Sequence, residues 1–374
     1  MLVFQRKIES KIKANLFKNR AILIFGPRQV GKTTLAKKIV DDYKETGGYF
    51  NCELASVRKH FVLGKPDLLK ELTGDKKIAV FDEAQTIENI GAILKVFVDS
   101  YPTIQIIATG SSSFDLANKI KEPLTGRSFE YTLLPLSVEE IKNVKNFDKK
   151  ELLEIMRLGS YPAIVAEENK DRKVEILKNL ATNYLYKDVF VFESIKNPTV
   201  FENLVKMLAL QIGSLVSINE MSATLGTSRA TVDKYIRLLE QAFVVKVVRS
   251  FSHNPRTEIK KAFKIYFLDT GIRNAVIDDI SDLENRNDRG LIFENFFFSE
   301  LLKTGSQEIF APQIRFWRTR TGAEIDFITE KDAKINAYEC KWSKENVSFV
   351  NFLKKYPAAK TETINPEKFL QILR

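Results

Sequence analysis

Apolar and polar positions in the first 135 residues alternate between two kinds of block. Three short runs are almost continuously apolar, at residues 21–25, 77–81 and 104–108. A strand without polar interruptions is typical of burial on both faces, as in a parallel sheet. Segments with helical spacing lie between these runs, for example at residues 87–98. This alternation predicts an α/β layer sandwich.

The pattern changes after this region. Residues 137–197 become helical and rich in lysine, with one interruption at residues 159–162. Helices and then two strand-like runs follow up to residue 269, and the last part has a helix and strands rich in aromatic residues. We therefore predict three domains, at residues 1–197, 198–280 and 281–374.

Composition and charge narrow the possible functions. Hydrophobic residues make up 44% and charged residues 28% of the chain, which is typical of a folded protein. The net charge of +10 indicates an anionic partner, namely a nucleotide, a nucleic acid or a membrane surface. A protein that is simply rich in lysine is the alternative.

Other features argue against a membrane or secreted protein. The sequence contains no run of 18 apolar residues, and the apolar stretch at residues 204–218 is broken by Lys206 and Gln211. The N-terminus lacks the apolar core of a signal peptide. Two cysteines, Cys52 and Cys340, are too few for a disulfide framework. We expect a soluble cytoplasmic protein without a membrane partner.

A phosphate-binding motif follows the first apolar run. The sequence matches G-x-x-x-x-G-K-[ST] at Gly26, Pro27, Arg28, Gln29, Val30, Gly31, Lys32 and Thr33. The glycines let the backbone curl so that its N–H groups point at phosphate oxygens. Lys32 can reach the β- and γ-phosphates, and the Thr33 hydroxyl can bind Mg²⁺. We predict that these residues and Thr34, in the next helix, bind a nucleotide.

Two acidic residues end the second apolar run. Asp82 and Glu83 would lie beside the phosphate loop, because the carboxyl ends of parallel strands meet at one edge of a sheet. Asp82 would hold Mg²⁺ through water, and Glu83 would orient and deprotonate the attacking water. The alternative is a pair of exposed acids that open a turn.

Two further residues could take part in the same chemistry. Thr109, followed by Gly110 and three serines at 111–113, ends the third apolar run and could position the attacking water or sense the γ-phosphate. It could also belong to an ordinary turn. Arg127 could neutralise transition-state charge as an arginine finger, or it could form a surface salt bridge.

Together these segments resemble the prokaryotic AAA-type ATPases that carry a C-terminal nuclease-like domain. The similar segments are residues 26–35, 81–85, 108–112, 124–127, 133–137, 159–162 and 186–188. The resemblance implies a P-loop AAA-type sheet with a small helical lid. It also implies ATP binding at residues 26–33, with Asp82 and Glu83 as the second nucleotide motif. Ser160 departs from the family pattern, in which a second glycine is common at this position.

A winged helix is predicted in the middle of the chain. Ser217 and Glu220 have the spacing of a capping box, which should begin a helix that ends near Leu225. A turn at residues 226–228 and a second helix at 229–241 complete a helix-turn-helix pattern. Strand-like runs at 243–248 and 263–268 would form the wing.

This segment is also basic. Between Lys246 and Lys264 the only acid is Glu258, and the bases are Lys246, Arg249, Arg256, Lys260, Lys261 and Lys264. Together with Ser228, Arg229 and Lys234, they could contact DNA phosphates. A rigid spacer or a protein-binding surface is the alternative.

Charged residues near the C-terminus have the spacing of a nuclease site. Asp326 lies on one alternating strand, and Glu339 and Lys341 share one face of the next. In a hairpin, Asp326 and Glu339 could hold Mg²⁺ while Lys341 activates a water, with Glu294 as a further ligand. This resembles the restriction-endonuclease-like D…E-x-K core. Charges on a solvated hairpin face, or a folded but inactive domain, are the alternatives. Glu324 shares a face with Asp326 and could either assist the site or have no role in it.

The predicted architecture is therefore an α/β P-loop AAA-type domain with a helical lid, then a winged helix, then a restriction-endonuclease-like α/β domain. The leading hypothesis is an ATPase that uses ATP and Mg²⁺ and engages DNA. A nucleotide-controlled, Mg²⁺-dependent nuclease is the second hypothesis. A non-enzymatic nucleotide switch that binds a protein partner is the third, and an oligomer is possible in each case.

Overall fold

The computed structural model describes residues 4–110, 124–182, 195, 197–251, 263–306, 312–319, 321–343 and 347–373. Several predicted features lie outside these residues, namely the serines at 111–113, the motif at 186–188 and the bases Arg256, Lys260 and Lys261. The chain divides into two compact units, one formed by Val3–Pro135 with Gln241–Phe243 and the other by Leu136–Glu240 and Val244–Arg374. The division into three domains stays a prediction.

The first unit is built around a five-stranded parallel sheet, which confirms the predicted α/β arrangement. Its strands are β1 (Ala21–Phe25), β2 (Gly47–Asn51), β3 (Ile78–Asp82), β4 (Gln105–Gly110) and β5 (Ser128–Thr132), in the order β2-β3-β4-β1-β5. Its helices are α1 (Ile8–Ala14), α2 (Lys32–Asp41), α3 (Ala55–Arg58), α4 (Pro66–Thr73) and α5 (Ile90–Ser100).

Burial explains why the apolar runs form the central strands. Every residue of β1, β3 and β4 is buried. On one side of the sheet, Leu23 and Phe81 belong to the same core cluster as Leu94 and Phe97 of α5. The predicted helix at 87–98 begins only at Ile90, because residues 84–86 form a short 3₁₀ turn and Asn89 has a left-handed backbone.

The strand order places the predicted site residues at one edge. β1 pairs with β4 and β4 pairs with β3, all in parallel, so their carboxyl ends lie side by side. Asp82 is the last residue of β3, and Thr109 is the penultimate residue of β4. The phosphate-loop motif follows the last residue of β1, Phe25. This edge is the position predicted for the nucleotide site.

The second unit begins with helices and contains two sheets. The helices before its last strands are α6 (Val138–Lys142), α7 (Lys149–Leu158), α8 (Pro162–Ala166), α9 (Lys170–Thr182), α10 (Pro198–Leu210), α11 (Ile218–Thr224), α12 (Arg229–Gln241), α13 (Thr270–Val276) and α14 (Arg289–Ser306). A three-stranded sheet contains β6 (Leu215–Val216), β7 (Val245–Arg249) and β8 (Phe263–Phe267), in the antiparallel order β6-β8-β7.

The last part of the chain forms a four-stranded sheet. Its elements are β9 (Gln313–Arg318), β10 (Glu324–Lys331), β11 (Lys334–Cys340), α15 (Val350–Leu353), β12 (Lys360–Ile364) and α16 (Pro366–Ile372). The sheet order is β12-β11-β10-β9, and β12 is parallel to β11 whereas the other pairs are antiparallel. The predicted hairpin is present, and its two turn residues, Asp332 and Ala333, both have positive φ. None of the helices in the described part of the chain is long and apolar enough to span a membrane.

A buried carboxylate holds together the middle of the second unit. Asp269 caps α13 by accepting a hydrogen bond from Ile272 N (3.2 Å), and its other oxygen accepts from Ser160 N (2.8 Å). Gly159 ends α7 with φ of +84°, and a Cβ at this position would lie 2.0 Å from Asp269 Oδ1. The interruption of the helical pattern at residues 159–162 is therefore a turn that packs directly against Asp269.

We predict that Gly159→Ala lowers the free energy of unfolding of the second unit by more than about 2 kcal/mol, because it adds backbone strain and a steric overlap. Both tryptophans, Trp317 and Trp342, lie in this unit, so urea unfolding followed by tryptophan fluorescence reports on it. Gly290→Ala is the matched control, because a Cβ at Gly290 meets nothing within 4 Å. The explanation fails if the two variants unfold at the same urea concentration.

Candidate functional site

The segment between β1 and α2 forms a tight loop that requires glycine at two positions. Gly26 has φ of +149°, and a Cβ there would lie 2.0 Å from the carbonyl oxygen of Leu133. Gly31 has φ of +96° and is the N-cap residue of α2. The loop thus leads directly into the N-terminus of a ten-residue helix, where backbone N–H groups are available to an anion.

Lys32 is the first residue of α2, and its side chain reaches back into this loop. Its side chain is buried, and Nζ donates hydrogen bonds to the carbonyl oxygens of Gly26 (2.9 Å) and Pro27 (2.7 Å). Arg28 and Gln29, at the tip of the loop, are exposed, and Val30 is buried. The ammonium group is thus held by the backbone that the motif predicts to surround phosphates.

Arg6 supports the loop from outside the motif. Its guanidinium donates to Val30 O (2.7 Å) and to Leu134 O (2.6 Å), so it joins the phosphate loop to the segment that follows β5. Arg6 is buried. Sequence reasoning missed this residue because nothing in its local pattern distinguishes it from the other N-terminal bases.

The carboxylate of Asp82 accepts hydrogen bonds from three hydroxyl groups. Oδ2 accepts from Thr33 Oγ1 (2.8 Å) and from Tyr49 Oη (2.6 Å), and Oδ1 accepts from Thr109 Oγ1. The structure therefore brings together Thr33, Asp82 and Thr109, which the sequence singled out separately. Tyr49, on the neighbouring strand β2, was missed.

The surroundings of Tyr49 keep its hydroxyl protonated. Burial raises the pKa of Tyr49 far above its usual value, and the hydrogen bond and charge of Asp82 raise it further. The Lys37 ammonium lies 4.4 Å from the centre of the Tyr49 ring. Tyr49 therefore keeps its proton at neutral pH and can donate it in a hydrogen bond to Asp82.

Glu83 lies next to this group but faces a different partner. Its backbone is left-handed, with φ of 53°, and its N–H donates to Thr109 Oγ1 (3.2 Å). Its carboxylate accepts a hydrogen bond from the side chain of Gln85. A non-glycine residue in this conformation is uncommon, and such strain often occurs at functional sites. Glu83 is half-buried, unlike the exposed acid of the alternative interpretation.

Arg127 is not at this edge of the sheet. Its Nε lies 2.7 Å from Asp99 Oδ1, and both side chains are exposed. Its carbonyl accepts from Ala21 N, at the start of β1, whereas the phosphate loop follows the other end of β1. This geometry matches the surface salt bridge that the sequence left open. A finger role stays a prediction that requires a second subunit.

A second cluster lies in the last part of the chain. Asp326 N donates to Glu339 Oε2 (3.3 Å), Cys340 N donates to Asp326 Oδ2 (2.8 Å), and Lys341 Nζ lies 3.2 Å from Glu339 Oε1. Asp326 lies where the pairing of β10 with β9 shifts register, between Ile325 and Ile328. The predicted hairpin therefore does bring Asp326, Glu339 and Lys341 together.

Two residues of β8 also belong to this cluster, and sequence reasoning gave them no such role. The Lys264 ammonium lies 3.6 Å from Glu294 Oε1, 2.5 Å from Glu324 Oε1 and 3.9 Å from Asp326 Oδ1. The Tyr266 hydroxyl donates to Glu294 Oε1 (2.6 Å). Lys264 was predicted to contact DNA phosphates, and this is wrong, because the residue is only 2% exposed.

Burial changes the proton affinity of these carboxyl groups. It raises the pKa of Glu294 to about 8 and that of Glu339 to about 7, and in both cases the nearby Asp326 carboxylate adds to the shift. Burial also raises the pKa of Asp326, against the opposing effect of Lys264. In the part of the chain that the structure describes, no group of three or more His, Cys, Asp or Glu side chains is arranged to hold a metal ion.

Comparisons with protein families divide the chain into three matched regions. Residues 18–142 match the family described as an AAA domain. Residues 149–287 and 289–369 match two domains of unknown function, DUF8612 and DUF4143. Only the first region is therefore linked to a known activity.

Uncharacterized proteins are similar to this one over most of the chain. The uncharacterized protein MJ1544 of Methanocaldococcus jannaschii is 28% identical over an alignment of 370 residues. The match covers 89% of this chain and 81% of the relative. The uncharacterized protein Rv2008c of Mycobacterium tuberculosis is 27% identical over 346 residues, covering 91% and 74%.

Similarity to solved structures is low. The Pif1 helicase from Candida albicans has a TM-score of 0.27 and 13% identity, with 48% of each chain covered. The Drosophila ORC structure bound to AT-rich DNA and Cdc6 has a TM-score of 0.27 and 12% identity, covering 72% of this chain and 90% of that chain. The AAA-domain match and the parallel sheet with its phosphate loop support an AAA-type ATPase in the N-terminal part of this chain.

Proposed function

We propose that this protein is a Mg²⁺-dependent ATPase that engages DNA through a winged helix. The observation that carries the ATPase proposal is the convergence of Lys32, Thr33, Asp82 and Glu83 at one edge of the parallel sheet. Lys32 and Thr33 begin α2, whereas Asp82 ends β3 and Glu83 follows it. Phosphoryl transfer requires a phosphate-binding lysine, oxygens that hold Mg²⁺ and a group that acts on the attacking water to lie close together. These residues also fit Mg²⁺, because the Thr33 hydroxyl and the Asp82 carboxylate supply adjacent oxygens.

The residues of the phosphate loop would bind and orient the triphosphate. Backbone N–H groups of residues 28–33, which run into the start of α2, would surround the phosphate oxygens. Lys32 would exchange its hydrogen bonds to Gly26 and Pro27 for the β- and γ-phosphates. Mg²⁺, when bound, neutralises part of the phosphate charge, and Thr33 and Asp82 would hold it, the latter through water.

Glu83 and Thr109 would act on the attacking water. Glu83 follows Asp82 directly, its backbone is left-handed, and its carboxylate accepts a hydrogen bond from the Gln85 side chain. The Thr109 hydroxyl donates to Asp82 and accepts from Glu83 N, so it links the metal-holding residue to the proposed base. We assign Glu83 the role of general base and Thr109 a positioning role.

The central segment supports the DNA-binding part of the proposal. The element order α10-β6-α11-α12-β7-β8 and the sheet order β6-β8-β7 support the proposal of a winged helix. Ser217 caps α11, and α12 buries Val232, Ile236 and Leu239 while Arg229 and Lys234 are exposed. We propose that the exposed face of α12 contacts DNA phosphates.

Two other predictions belong with this proposal. The order of α14 and β9 to β12, with three antiparallel strands and a parallel fourth, supports a restriction-endonuclease-like arrangement for the last domain. The protein-partner switch remains the alternative to DNA binding, because a winged helix can also bind protein. It predicts no binding to DNA at low salt.

We predict that Lys32→Ala and Glu83→Gln each reduce ATP turnover by a factor of about 100 or more, because one removes a phosphate contact and the other the general base. Glu83→Gln should still bind ATP, as measured with a fluorescent nucleotide. The matched controls are Lys77→Ala and Glu88→Gln, which change exposed residues of the same unit. Full turnover in both site variants would refute the assignment.

We predict that Tyr49→Phe raises the Mg²⁺ concentration required for half-maximal ATP turnover about tenfold, because a hydrogen bond to a charged group contributes about 1.5–3 kcal/mol. Tyr101→Phe is the control, since its hydroxyl bonds to Asp67 at the surface. The role of Tyr49 would be disproved by identical Mg²⁺ dependence in the two variants.

We predict that duplex DNA binding weakens steeply with salt, and that Arg229→Ala or Lys234→Ala reduces the slope by about 0.9 per lost phosphate contact. Fluorescence anisotropy of a labelled duplex at several salt concentrations measures this slope. Lys206→Ala, on the exposed side of α10, removes the same charge and should leave it unchanged. If the wild-type protein binds no DNA at low salt, the protein-partner switch is favoured.

A further inference from the structure

The tail cluster, defined as Glu294, Glu324, Asp326 and Glu339 with Lys264, contains a cation supplied by the chain itself. The Lys264 ammonium is within 4 Å of oxygens from Glu294, Glu324 and Asp326. These carboxylates come from α14 and β10, whereas Lys264 comes from β8, which is distant in sequence. The ammonium therefore lies among carboxylates that the sequence predicted to surround Mg²⁺.

The backbone fixes Lys264 in this position. β8 is the central strand of its sheet, and Lys264 pairs with Leu215 on one side and Val248 on the other. The next segment of β8 is joined to α14, because the Asn295 amide both accepts from Phe267 N and donates to Phe267 O, each at 2.8 Å. The side chain is 2% exposed, and its ammonium also lies 5.5 Å from the centre of the Phe316 ring.

Hydrogen bonds use further oxygens of the tail cluster. Asp326 Oδ2 accepts from Cys340 N, and Glu339 Oε2 accepts from Asp326 N. Glu339 Oε1 faces the Lys341 ammonium, and Glu324 Oε2 lies 3.3 Å from Arg318. Mg²⁺ requires several oxygens with free lone pairs in a near-octahedral arrangement at 2.0–2.1 Å. Oxygens that face N–H donors and an ammonium group do not fit this requirement.

Electrostatics favours the same conclusion. A divalent cation placed between Glu294 and Asp326 would lie next to the Lys264 ammonium, and two positive charges at such a distance repel strongly in a buried site. Removing the ammonium instead would leave buried carboxylates without a counter-ion, which is unfavourable. Lys264 and a metal ion are therefore alternatives for one position.

We propose that Lys264 is the resident cation of the tail cluster, so that this cluster binds no divalent metal ion and the nuclease-like domain does not cleave DNA. The ion pairs then serve to join β8 to α14 and β10. This inference differs from the second hypothesis of the sequence, a Mg²⁺-dependent nuclease. It does not depend on the ATPase proposal, because it concerns residues outside the phosphate-loop unit.

The test is Mn²⁺ binding to the full-length protein without nucleotide, measured by electron paramagnetic resonance. We expect the wild-type protein and Asp326→Asn to bind the same number of Mn²⁺ ions. We expect Lys264→Met to bind one more Mn²⁺ ion per chain, and the double variant Lys264→Met/Asp326→Asn to lose this additional ion. The gained site should raise the melting temperature of Lys264→Met by about 5–10 °C at a metal concentration near 100 times Kd. Lys303→Met is the matched control, because Lys303 is also buried and pairs with Glu300.

Two results would overturn the proposal. The first is a wild-type Mn²⁺ site, or Mg²⁺-dependent DNA cleavage, that Asp326→Asn abolishes. The second is a folded Lys264→Met variant that gains no site. If Lys264→Met does not fold, the double variant Lys264→Met/Glu324→Gln removes a carboxylate together with its partner and takes its place in the same comparison. The wild-type measurement tests the proposal in either case.

Discussion

The buried carboxylate of Asp82 is the interaction on which the phosphate-loop unit depends. A carboxylate with 3% exposure must find hydrogen-bond donors inside the protein, and Asp82 finds them in Thr33, Tyr49 and Thr109. These donors come from α2, β2 and β4, so one charged group fixes the positions of three elements around the end of β3. The same three contacts orient the oxygens that would face Mg²⁺. Stability and proposed activity therefore require the same geometry.

In the tail cluster, an ammonium group stabilises the buried carboxylates instead of hydroxyl groups. Asp82 is surrounded by neutral hydroxyls, which can rearrange when a cation approaches its oxygens. Asp326 and Glu294 lie beside an ammonium that a central strand holds in place. A site of the first kind remains open to a metal ion, whereas a site of the second kind already contains its counter-charge. Two groups of acidic residues that the sequence predicted to bind Mg²⁺ thus have different chemistry.

The parts of the fold that sequence predicted well are local. The motif at residues 26–33 and the strand at 21–25 follow from short apolar runs and glycine spacing, and α12 has the predicted bounds because its apolar positions repeat at helical intervals. Hairpin geometry also brought Asp326 and Glu339 together as predicted. In each case the structure is determined by a few residues that are close together in the sequence.

The residues that sequence missed act across long separations. Arg6 reaches Leu134, Tyr49 reaches Asp82, and Lys264 reaches Asp326, and no periodicity or spacing rule relates these pairs. Lys264 also shows why counting charge was misleading in this region, because it was assigned with its basic neighbours to a DNA-binding surface. Successive side chains of β8 point to opposite faces of the sheet, so Lys264 and Tyr266 share one face, and both contact Glu294. Lys264 therefore pairs with buried acids and does not lie on the surface. A basic residue in a central strand is therefore better interpreted as a partner for buried acids than as a surface charge, and the acids it pairs with lose their value as evidence for a metal site.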